Sequence, residues 1–186
     1  MKTTLKRRST GFTLIEALIT ISIASILASI AIPSFNKMIE NNRISSASNS
    51  FLTALMYSRS EATKRSVSVS ICTSSNGSSC NTGLDDYAKG WLVFVDCDED
   101  GSVDIAVQAC DLDGDGSNDP DLVLRVQQEF ARTSITPTAA AASDSFTYRF
   151  TGRPISPVGF RVGVDTTDPK KVINVARTGR VRMEDY

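Results

Sequence analysis

Histidine is absent from this sequence of 186 residues, and that absence limits the chemistry the chain can perform. Without an imidazole there is no Ser-His or Cys-His nucleophile pair, no histidine-ligated zinc and no ordinary general base near neutral pH. We therefore do not expect an enzyme. An excess of one charge is also lacking, because 20 Lys and Arg oppose 21 Asp and Glu. No global field marks the whole chain as a nucleic-acid binder, so charge must be considered region by region.

The sequence begins with a basic leader that is followed by a long apolar run. The Lys and Arg residues between positions 2 and 8 have no acidic neighbour, and Glu16 is the only charged residue within 12–33. About 20 to 22 helical residues span roughly 30 Å, the thickness of the hydrocarbon core of a bilayer. We predict a single transmembrane segment whose basic end lies in the cytoplasm and whose remaining chain lies outside it.

Glu16 is the anomaly of this segment. A lone carboxylate in a spanning helix costs several kcal/mol unless it is paired or lies near the interface. One interpretation is that Glu16 lies one turn into the helix and reaches the headgroups. The other is that a cation from a second molecule pairs with it.

The segment RRSTGFTLIEALITISIASILASIAIP resembles the N-terminal signature of type IV pilins and pseudopilins. The resemblance implies that a prepilin peptidase cleaves between Gly11 and Phe12, removing residues 1–11, and that the new Phe12 amine is N-methylated. It also implies that the Phe12 ammonium of a neighbouring subunit neutralises Glu16 in a filament, so that this charge fixes the register of assembly. Pro33 resembles the helix-bending proline of the family.

Residues 34–65 contain no Gly or Pro and are predicted to continue the helix. Apolar or small residues recur there at steps of three and four, namely Ile44, Ala47, Phe51, Leu55, Ser58 and Ala62. We predict one helix over 12–65, with 12–33 in the membrane or filament core and 34–65 packed under a sheet. A dimeric coiled coil is the alternative, but the stripe is short and includes Ser and Ala.

Beyond residue 65, alternating apolar and polar side chains predict β-strands. The segments are 67–71, 90–96, 146–150, 158–164, 172–177 and 180–183, and Thr178 and Gly179 form the turn between the last two. Because no second helix is evident, we predict an α+β fold in which the head, 66–186, is an antiparallel sheet packed on the long helix. Residues 136–145, which include four consecutive alanines, are predicted to be a mobile loop.

Motifs of the head narrow the resemblance. SRSEATKRSVSVSIC, GWLVFVD and the terminal TGRVR resemble the FimT/FimU minor pilins and their type II secretion counterpart, the GspH pseudopilin. The resemblance implies the type IV pilin fold in a bacterial protein of the inner membrane, with a periplasmic head, that later joins a pilus at the cell surface. Its implied partners are prepilin peptidase, other minor and major pilins, the inner-membrane assembly platform and, before assembly, membrane lipid.

The four cysteines are Cys72, Cys80, Cys97 and Cys110, on the exported side of the predicted membrane segment, where thiols oxidise. Four cysteines permit three pairings, and proximity favours Cys72 with Cys80 and Cys97 with Cys110. Each bond would contribute about 2.5 to 3 kcal/mol by the chain-entropy argument. A metal–thiolate site is the alternative, although no Cys-x-x-Cys pair is present.

Residues 96–121 contain nine Asp and one Glu without any Lys or Arg, and they are interpreted as an insertion. The pattern D-x-D-x-D-G-x-x-D occurs twice, at Asp96, Asp98, Asp100 and Asp104 and at Asp111, Asp113, Asp115 and Asp119. Alternating carboxylates before a sharp glycine turn suit a calcium loop, although neither loop has the bidentate Glu of an EF-hand. Ca²⁺ is thus a candidate ligand of a chain that otherwise requires no cofactor. A pair of polar turns is the alternative.

The C-terminal portion is mildly basic, with ten Lys and Arg from Arg125 onward against six acids. Residues 179–182, GRVR, resemble a GRxR motif associated with DNA uptake by FimT-type pilins. Two arginines two positions apart on a strand project to one face, at a spacing that suits phosphates. The alternative is that Arg180 and Arg182 form a solvated edge or pair with the acidic loops.

Three functions compete at this point. The first is a minor pilin that acts in the assembly or initiation of a type IV pilus, and so in twitching motility, adhesion or DNA uptake. The second is a GspH-like minor pseudopilin of a type II secretion system. The third is a DNA-binding pilin for natural transformation. A gene neighbourhood of pilus or of secretion genes would separate the first two.

Overall fold

The structure is a computed structural model that describes residues 11–104, 110–112, 115–139 and 144–186. Most of the predicted leader, Asp113 and most of the alanine run lie outside the described residues. The chain divides into two units, Met1–Glu40 and Asn41–Tyr186. The described elements are one helix, α1 (Leu14–Arg65), a short 3-10 helix (Tyr87–Lys89) and eight strands, β1 (Val69–Thr73), β2 (Trp91–Val95), β3 (Val123–Gln127), β4 (Ser134–Pro137), β5 (Ser145–Tyr148), β6 (Val158–Gly163), β7 (Pro169–Val175) and β8 (Val181–Asp185).

Helix α1 occupies almost the whole of the predicted range. At its start the Thr13 hydroxyl accepts a hydrogen bond from the backbone N–H of Glu16 at 3.3 Å, which satisfies one of the free amides of the first turn. Pro33 lies inside the helix. The helix ends at Arg65 because Ser66 adopts a left-handed backbone conformation, with φ at 59°.

The predicted apolar stripe of the helix is confirmed within the second unit. All six of its members, Ile44, Ala47, Phe51, Leu55, Ser58 and Ala62, are buried. The Ser58 hydroxyl donates to the Ala54 carbonyl at 2.9 Å, so this polar member of the stripe is satisfied inside the core. The stripe from Ile44 to Ala62 therefore packs inside one molecule, whereas Phe35, Met38 and Ile39, which also fall in the range 34–65 predicted to pack under a sheet, are exposed.

The strands form two antiparallel sheets of four strands each, in the orders β3-β2-β1-β5 and β4-β6-β7-β8. The α+β class is confirmed, but the prediction of one sheet was wrong. Alternation reveals that a segment is a strand and does not reveal its partner. The two sheets arise from distant pairings, since β1 pairs with both β2 and β5 while β4 pairs with β6.

Strands β3 and β4 were not predicted, and the predicted loop was longer than the one in the structure. β3 and β4 fall outside every predicted strand. The predicted loop over 136–145 was wrong at both ends, because Thr136 and Pro137 belong to β4 and Ser145 begins β5. Strand β5 ends at Tyr148, earlier than predicted, because a turn closes when the N–H of Gly152 donates to the Arg149 carbonyl.

The core of the second unit lies between helix α1 and both sheets. The ring of Phe51 lies 5.2 Å from that of Trp91, on the first sheet, and 4.8 Å from that of Phe160, on the second. A smaller cluster of Cys72, Leu92 and Phe94 is covered by Cys80 and Val103. Strand β2 is therefore buried on both faces, which explains why its sequence does not alternate.

Candidate functional site

The first candidate site is the apolar surface of the first unit. Helix α1 is long and apolar enough to cross a membrane. The large apolar side chains of its N-terminal part are exposed rather than packed, and so is Phe12 just before it: Leu14, Ile15, Leu18, Ile19, Ile21, Ile23, Ile26, Leu27, Ile30, Ile32, Phe35, Met38 and Ile39. A continuous apolar surface of this size indicates contact with lipid or with other proteins.

Four hydroxyl groups on this surface, those of Thr20, Ser22, Ser25 and Ser29, are hydrogen-bonded within the helix. Ser22 donates to the Leu18 carbonyl at 2.8 Å, and Ser29 donates to the Ile26 carbonyl at 2.7 Å. Thr20 and Ser25 make the same kind of bond. Since each of these four hydroxyl protons has a partner, none of the four side chains demands water, and the segment from Thr20 to Ser29 suits an apolar medium.

Glu16 is the exception on this surface. Its carboxylate is exposed, and the Thr13 hydroxyl contacts one oxygen at 3.5 Å. In the part of the chain that the structure describes, no Lys or Arg forms an ion pair with it. The sequence signal T-x-x-E, with Thr13 just before the helix, is that of a helix-capping pair and was missed in the sequence analysis. Capping uses the Glu16 backbone and leaves the charge of its side chain without a counter-ion.

Gly11 and Phe12, the predicted cleavage site, are exposed and lie just before α1 begins at Leu14. A Cβ atom added at Gly11 would meet nothing within 4 Å. No packing within the described residues therefore demands glycine there. A requirement for glycine at this position would have to come from another molecule.

The structure joins Cys72 to Cys80 and Cys97 to Cys110. Cys72 is fully buried in β1, so the first bond ties the loop after this strand to the smaller apolar cluster. The second bond closes the first part of the acidic insertion. Neither pair forms a metal–thiolate site in the structure.

In the first acidic loop, Asp96 differs from the other acids because it is fully buried. Its Oδ2 atom accepts hydrogen bonds from the Ser70 hydroxyl at 2.5 Å and from the Gly101 N–H at 3.1 Å. Burial raises the pKa of the Asp96 carboxyl to about 6, against the opposing effect of these two hydrogen bonds. One carboxylate oxygen from each of Asp96, Asp98 and Asp100 lies within 4.8 Å of the other two.

The remaining predicted calcium ligands are placed differently. Asp104 is not a member of this group of carboxylates. In the second loop the Gly116 N–H donates to Asp111 at 2.9 Å, and the Leu112 N–H donates to Asp119 at 2.7 Å. Asp115 accepts from the Ser117 N–H at 2.7 Å, while Asp113 lies outside the described residues. The described acids of this second loop form no group comparable to that of the first.

Arg180 and Arg182 are exposed on the edge of the second sheet, where β8 is the terminal strand. Both line a cavity of about 570 Å³ together with Thr138, Asn174 and Thr178. In the described part of the chain neither guanidinium has an acidic partner, so the predicted alternative of pairing with the acidic loops is not seen there. The pair thus presents two free positive charges beside a concave surface.

The turn that carries this pair is anchored by Arg59, which the sequence analysis did not single out. The Arg59 guanidinium donates to the Thr178 carbonyl at 3.1 Å and to the Gly152 carbonyl at 3.0 Å. Gly179 has φ at 79° and is buried, and a Cβ atom there would overlap the Gly152 carbonyl. The SRSEATKR and TGRVR motifs are therefore in contact, a proximity across 119 residues that no local pattern encodes.

Comparisons with known proteins place these features in context. The family described as type II transport protein GspH matches residues 47–179, and the prokaryotic N-terminal methylation motif matches residues 6–32. The match to the methylation motif includes Gly11, Phe12 and Glu16. The match to the GspH family ends at residue 179 and therefore does not include Arg180. No curated protein matches the chain.

Among solved structures, the chain is similar to the type IV minor pilin FimU of Pseudomonas aeruginosa in two crystal forms. The form in space group P21 has a TM-score of 0.52 at 19% identity, covering 79% of this chain and 92% of that one. The form in space group P65 has a TM-score of 0.48 at 16% identity, covering 75% and 91%. The first similarity confirms the predicted type IV pilin fold.

Proposed function

The chain belongs to the GspH family of type II transport proteins, and from this premise we propose that it is a minor pilin of a type IV pilus. In this role it is a structural subunit without catalytic activity, which takes part in starting or extending the filament. Prepilin peptidase would remove residues 1–11, and the N-methylated Phe12 would then begin the mature chain. Before assembly the subunit would lie in the inner membrane, with the head in the periplasm.

The observation that carries this proposal is the contrast between one charge and its surroundings. Glu16 is exposed and is the only charged residue within 12–33, on a helical surface where the hydroxyls of Thr20, Ser22, Ser25 and Ser29 are satisfied internally. In an apolar filament core the carboxylate requires a cation from outside this chain, because burying a lone charge is costly. The amine that cleavage creates at Phe12 of the next subunit supplies one. The open space around Gly11 suits recognition by an external peptidase.

The test is to recover the protein from sheared surface pili and to measure incorporation of variants of Glu16. We expect the native chain to begin at an N-methylated Phe12 by mass spectrometry. We expect Glu16→Ala to reduce incorporation at least tenfold while the protein remains in the inner membrane. A native chain that still begins at Met1, or unchanged incorporation of Glu16→Ala, would refute the proposal.

Glu40→Ala is the matched control, because Glu40 is the other carboxylate of the first unit and lies near its end. It removes the same charge from the same helix outside the apolar run. We expect Glu40→Ala to be incorporated normally. Equal losses in both variants would assign the effect to net charge and would count against a specific pairing of Glu16.

A GspH-like pseudopilin of a type II secretion system is the second candidate, and the family match to residues 47–179 favours it. Assembly by Glu16 and Phe12 is the same in both cases. Deletion of the gene separates them, since loss of surface pili indicates the pilus and loss of protein secretion indicates the pseudopilus.

DNA binding is the third candidate, favoured by the guanidinium groups of Arg180 and Arg182, which have no acidic partner among the described residues and line a cavity of about 570 Å³. Binding to phosphates would weaken steeply with salt, because counterions are released. We expect the double variant Arg180→Ala and Arg182→Ala to lose affinity for duplex DNA. Equal binding by the variant and the native protein would exclude this surface.

A further inference from the structure

We propose that the first acidic loop binds one calcium ion through the carboxylates of Asp96, Asp98 and Asp100. One oxygen of each residue lies within 4.8 Å of the other two. Oxygens that share a calcium ion at about 2.3 to 2.6 Å are at most about 5 Å apart, and each pair among the three carboxylates meets this requirement.

Independent support comes from the buried end of the Asp96 side chain. In the described residues four buried side-chain polar atoms lack a hydrogen-bond partner, on Trp91, Ser134, Tyr148 and Asp96. Three of these groups are neutral, whereas Oδ1 of Asp96 belongs to a carboxylate that is fully buried. An orphaned carboxylate oxygen in the interior is costly, and a cation shared with Asp98 and Asp100 supplies the missing partner.

The other oxygen of Asp96 is held in place by the protein. Oδ2 accepts from the Ser70 hydroxyl at 2.5 Å and from the Gly101 N–H at 3.1 Å. Ser70 is itself hydrogen-bonded to the Thr147 hydroxyl at 2.6 Å, so strands β1 and β5 both fix this carboxylate. The ligand is thus positioned before the ion arrives, which lowers the entropic cost of binding.

The charged residues around the loop do not engage the carboxylates of Asp96, Asp98 and Asp100 in the described structure. Glu99 turns away from them, since its carboxylate contacts the Arg149 guanidinium at 3.2 Å and the Ser68 hydroxyl at 2.6 Å. Within the described ranges no Lys or Arg forms an ion pair with Asp96, Asp98 or Asp100. Three carboxylates without a protein counter-ion are a net attraction for a cation.

The donor set selects the kind of ion. It consists of oxygens alone, which excludes a preference for soft metals, and it lies on a loop whose two outer aspartates are exposed. Calcium accepts such a flexible arrangement and completes its shell with backbone carbonyls and water, whereas magnesium demands a nearly ideal octahedron. Loops of this kind in exported proteins have dissociation constants on the order of 10⁻⁴ to 10⁻³ M.

Binding would stabilise the point where the acidic insertion leaves the first sheet. The loop follows β2 directly, and Asp121 ties its two ends together by accepting from the N–H groups of Cys97 and Asp104 at 3.2 and 3.0 Å. Calcium therefore has a structural role in the head that is independent of the assembly role of Glu16.

The test uses the purified full-length protein in detergent, with CaCl₂ as the probe. We expect calorimetry to detect binding of one calcium ion at millimolar concentration, and we expect the unfolding midpoint of the head to rise by several degrees relative to EDTA. MgCl₂ at the same concentration should give less than half of that rise. Absence of both heat and a rise in the midpoint with calcium would overturn the proposal.

Variants locate the ion. Asp98→Asn and Asp96→Asn each keep a carbonyl oxygen but lose the charge, and both should abolish the rise with calcium while remaining folded in EDTA. Glu184→Gln removes the same charge from the exposed face of β8 and should respond as the native protein does. A full calcium response in Asp98→Asn would place the ion elsewhere, for example in the second loop, and would refute the site.

Discussion

The two units of the molecule treat the same kind of side chain in opposite ways. Phe35, in the first unit, is 64% exposed, whereas Phe51, in the second and on the same helix, is fully buried. The second unit buries its apolar stripe against its own sheets and needs no partner for its core. Among the residues that the structure describes, the first unit buries none of its large apolar side chains, which indicates contact with lipid or with other proteins. The apolar side chains of one helix therefore form part of a protein core in the second unit and an exposed surface in the first.

Each unit contains an α1 phenylalanine that can be replaced by alanine, Phe35 in the first and Phe51 in the second. Phe51→Ala should lower the free energy of unfolding of the head by about 3 to 5 kcal/mol, because it empties a site bounded by Tyr87, Trp91 and Phe160. Phe35→Ala should leave that free energy unchanged and should instead reduce incorporation into filaments. Denaturant unfolding of the full-length protein in detergent measures the first effect, and immunoblots of sheared filaments measure the second.

A loss of head stability in Phe35→Ala would show that the two units do not divide folding from assembly. Normal stability in Phe51→Ala would show that the buried aromatic cluster does not hold the head together. Either result would contradict the assignment of folding to the second unit and assembly to the first. Measuring both quantities in both variants distinguishes the two failures, because Phe35→Ala should leave the free energy of unfolding of the head unchanged.

Within the head, two glycines differ in how closely another part of the backbone approaches them. Gly179 and Gly83 both have positive φ, but only Gly179 approaches another backbone, that of Gly152. Gly83→Ala should cost about 1 to 2 kcal/mol from the left-handed conformation alone. Gly179→Ala adds a steric overlap and should cost about 2 to 4 kcal/mol.

The measurement is again denaturant unfolding, with nucleic-acid binding as the second readout. Since Gly179 positions the turn before Arg180, its replacement should also weaken any binding that depends on the arginine pair. Equal costs for the two glycine variants would mean that the approach to Gly152 contributes nothing to stability.

Sequence patterns predicted the elements better than their arrangement. The helix, its buried stripe and the core strands were visible because periodicities of 3.6 and 2 are local properties. Strand β4 was missed because Thr136 and Pro137, two of its four residues, were interpreted as the beginning of a loop, and Ser134 and Ile135 were assigned to no strand. The division into two sheets depends on pairings such as Ser70 with Thr147, which are distant in sequence and leave no local trace.

The candidate sites show the same limit. Gly11, Phe12 and Glu16 were found from a contiguous motif, and so were the repeated aspartates. The sequence could not distinguish Asp96 from its neighbours, because only the tertiary fold buries it beside Ser70. Arg59 was not predicted for a related reason. Its role depends on hydrogen bonds to the carbonyls of Gly152 and Thr178, which only the tertiary fold brings close to its guanidinium group.

The smallest expected effect concerns a carboxylate in water. Glu129 pairs with Lys89 at 2.9 Å, and its hydrogen bond raises the pKa of the Lys89 ammonium, yet both side chains are half exposed. Water and salt screen such a pair, so Glu129→Ala should change neither the unfolding midpoint nor incorporation into filaments measurably. Glu16→Ala removes the same group and should reduce incorporation into filaments at least tenfold while leaving the stability of the head unchanged. Equal losses of incorporation in Glu129→Ala and Glu16→Ala would contradict this prediction. They would mean that the effect of removing a carboxylate does not depend on whether apolar groups or water surround it. If neither variant had an effect, the lone charge of the apolar helix would have no role in assembly.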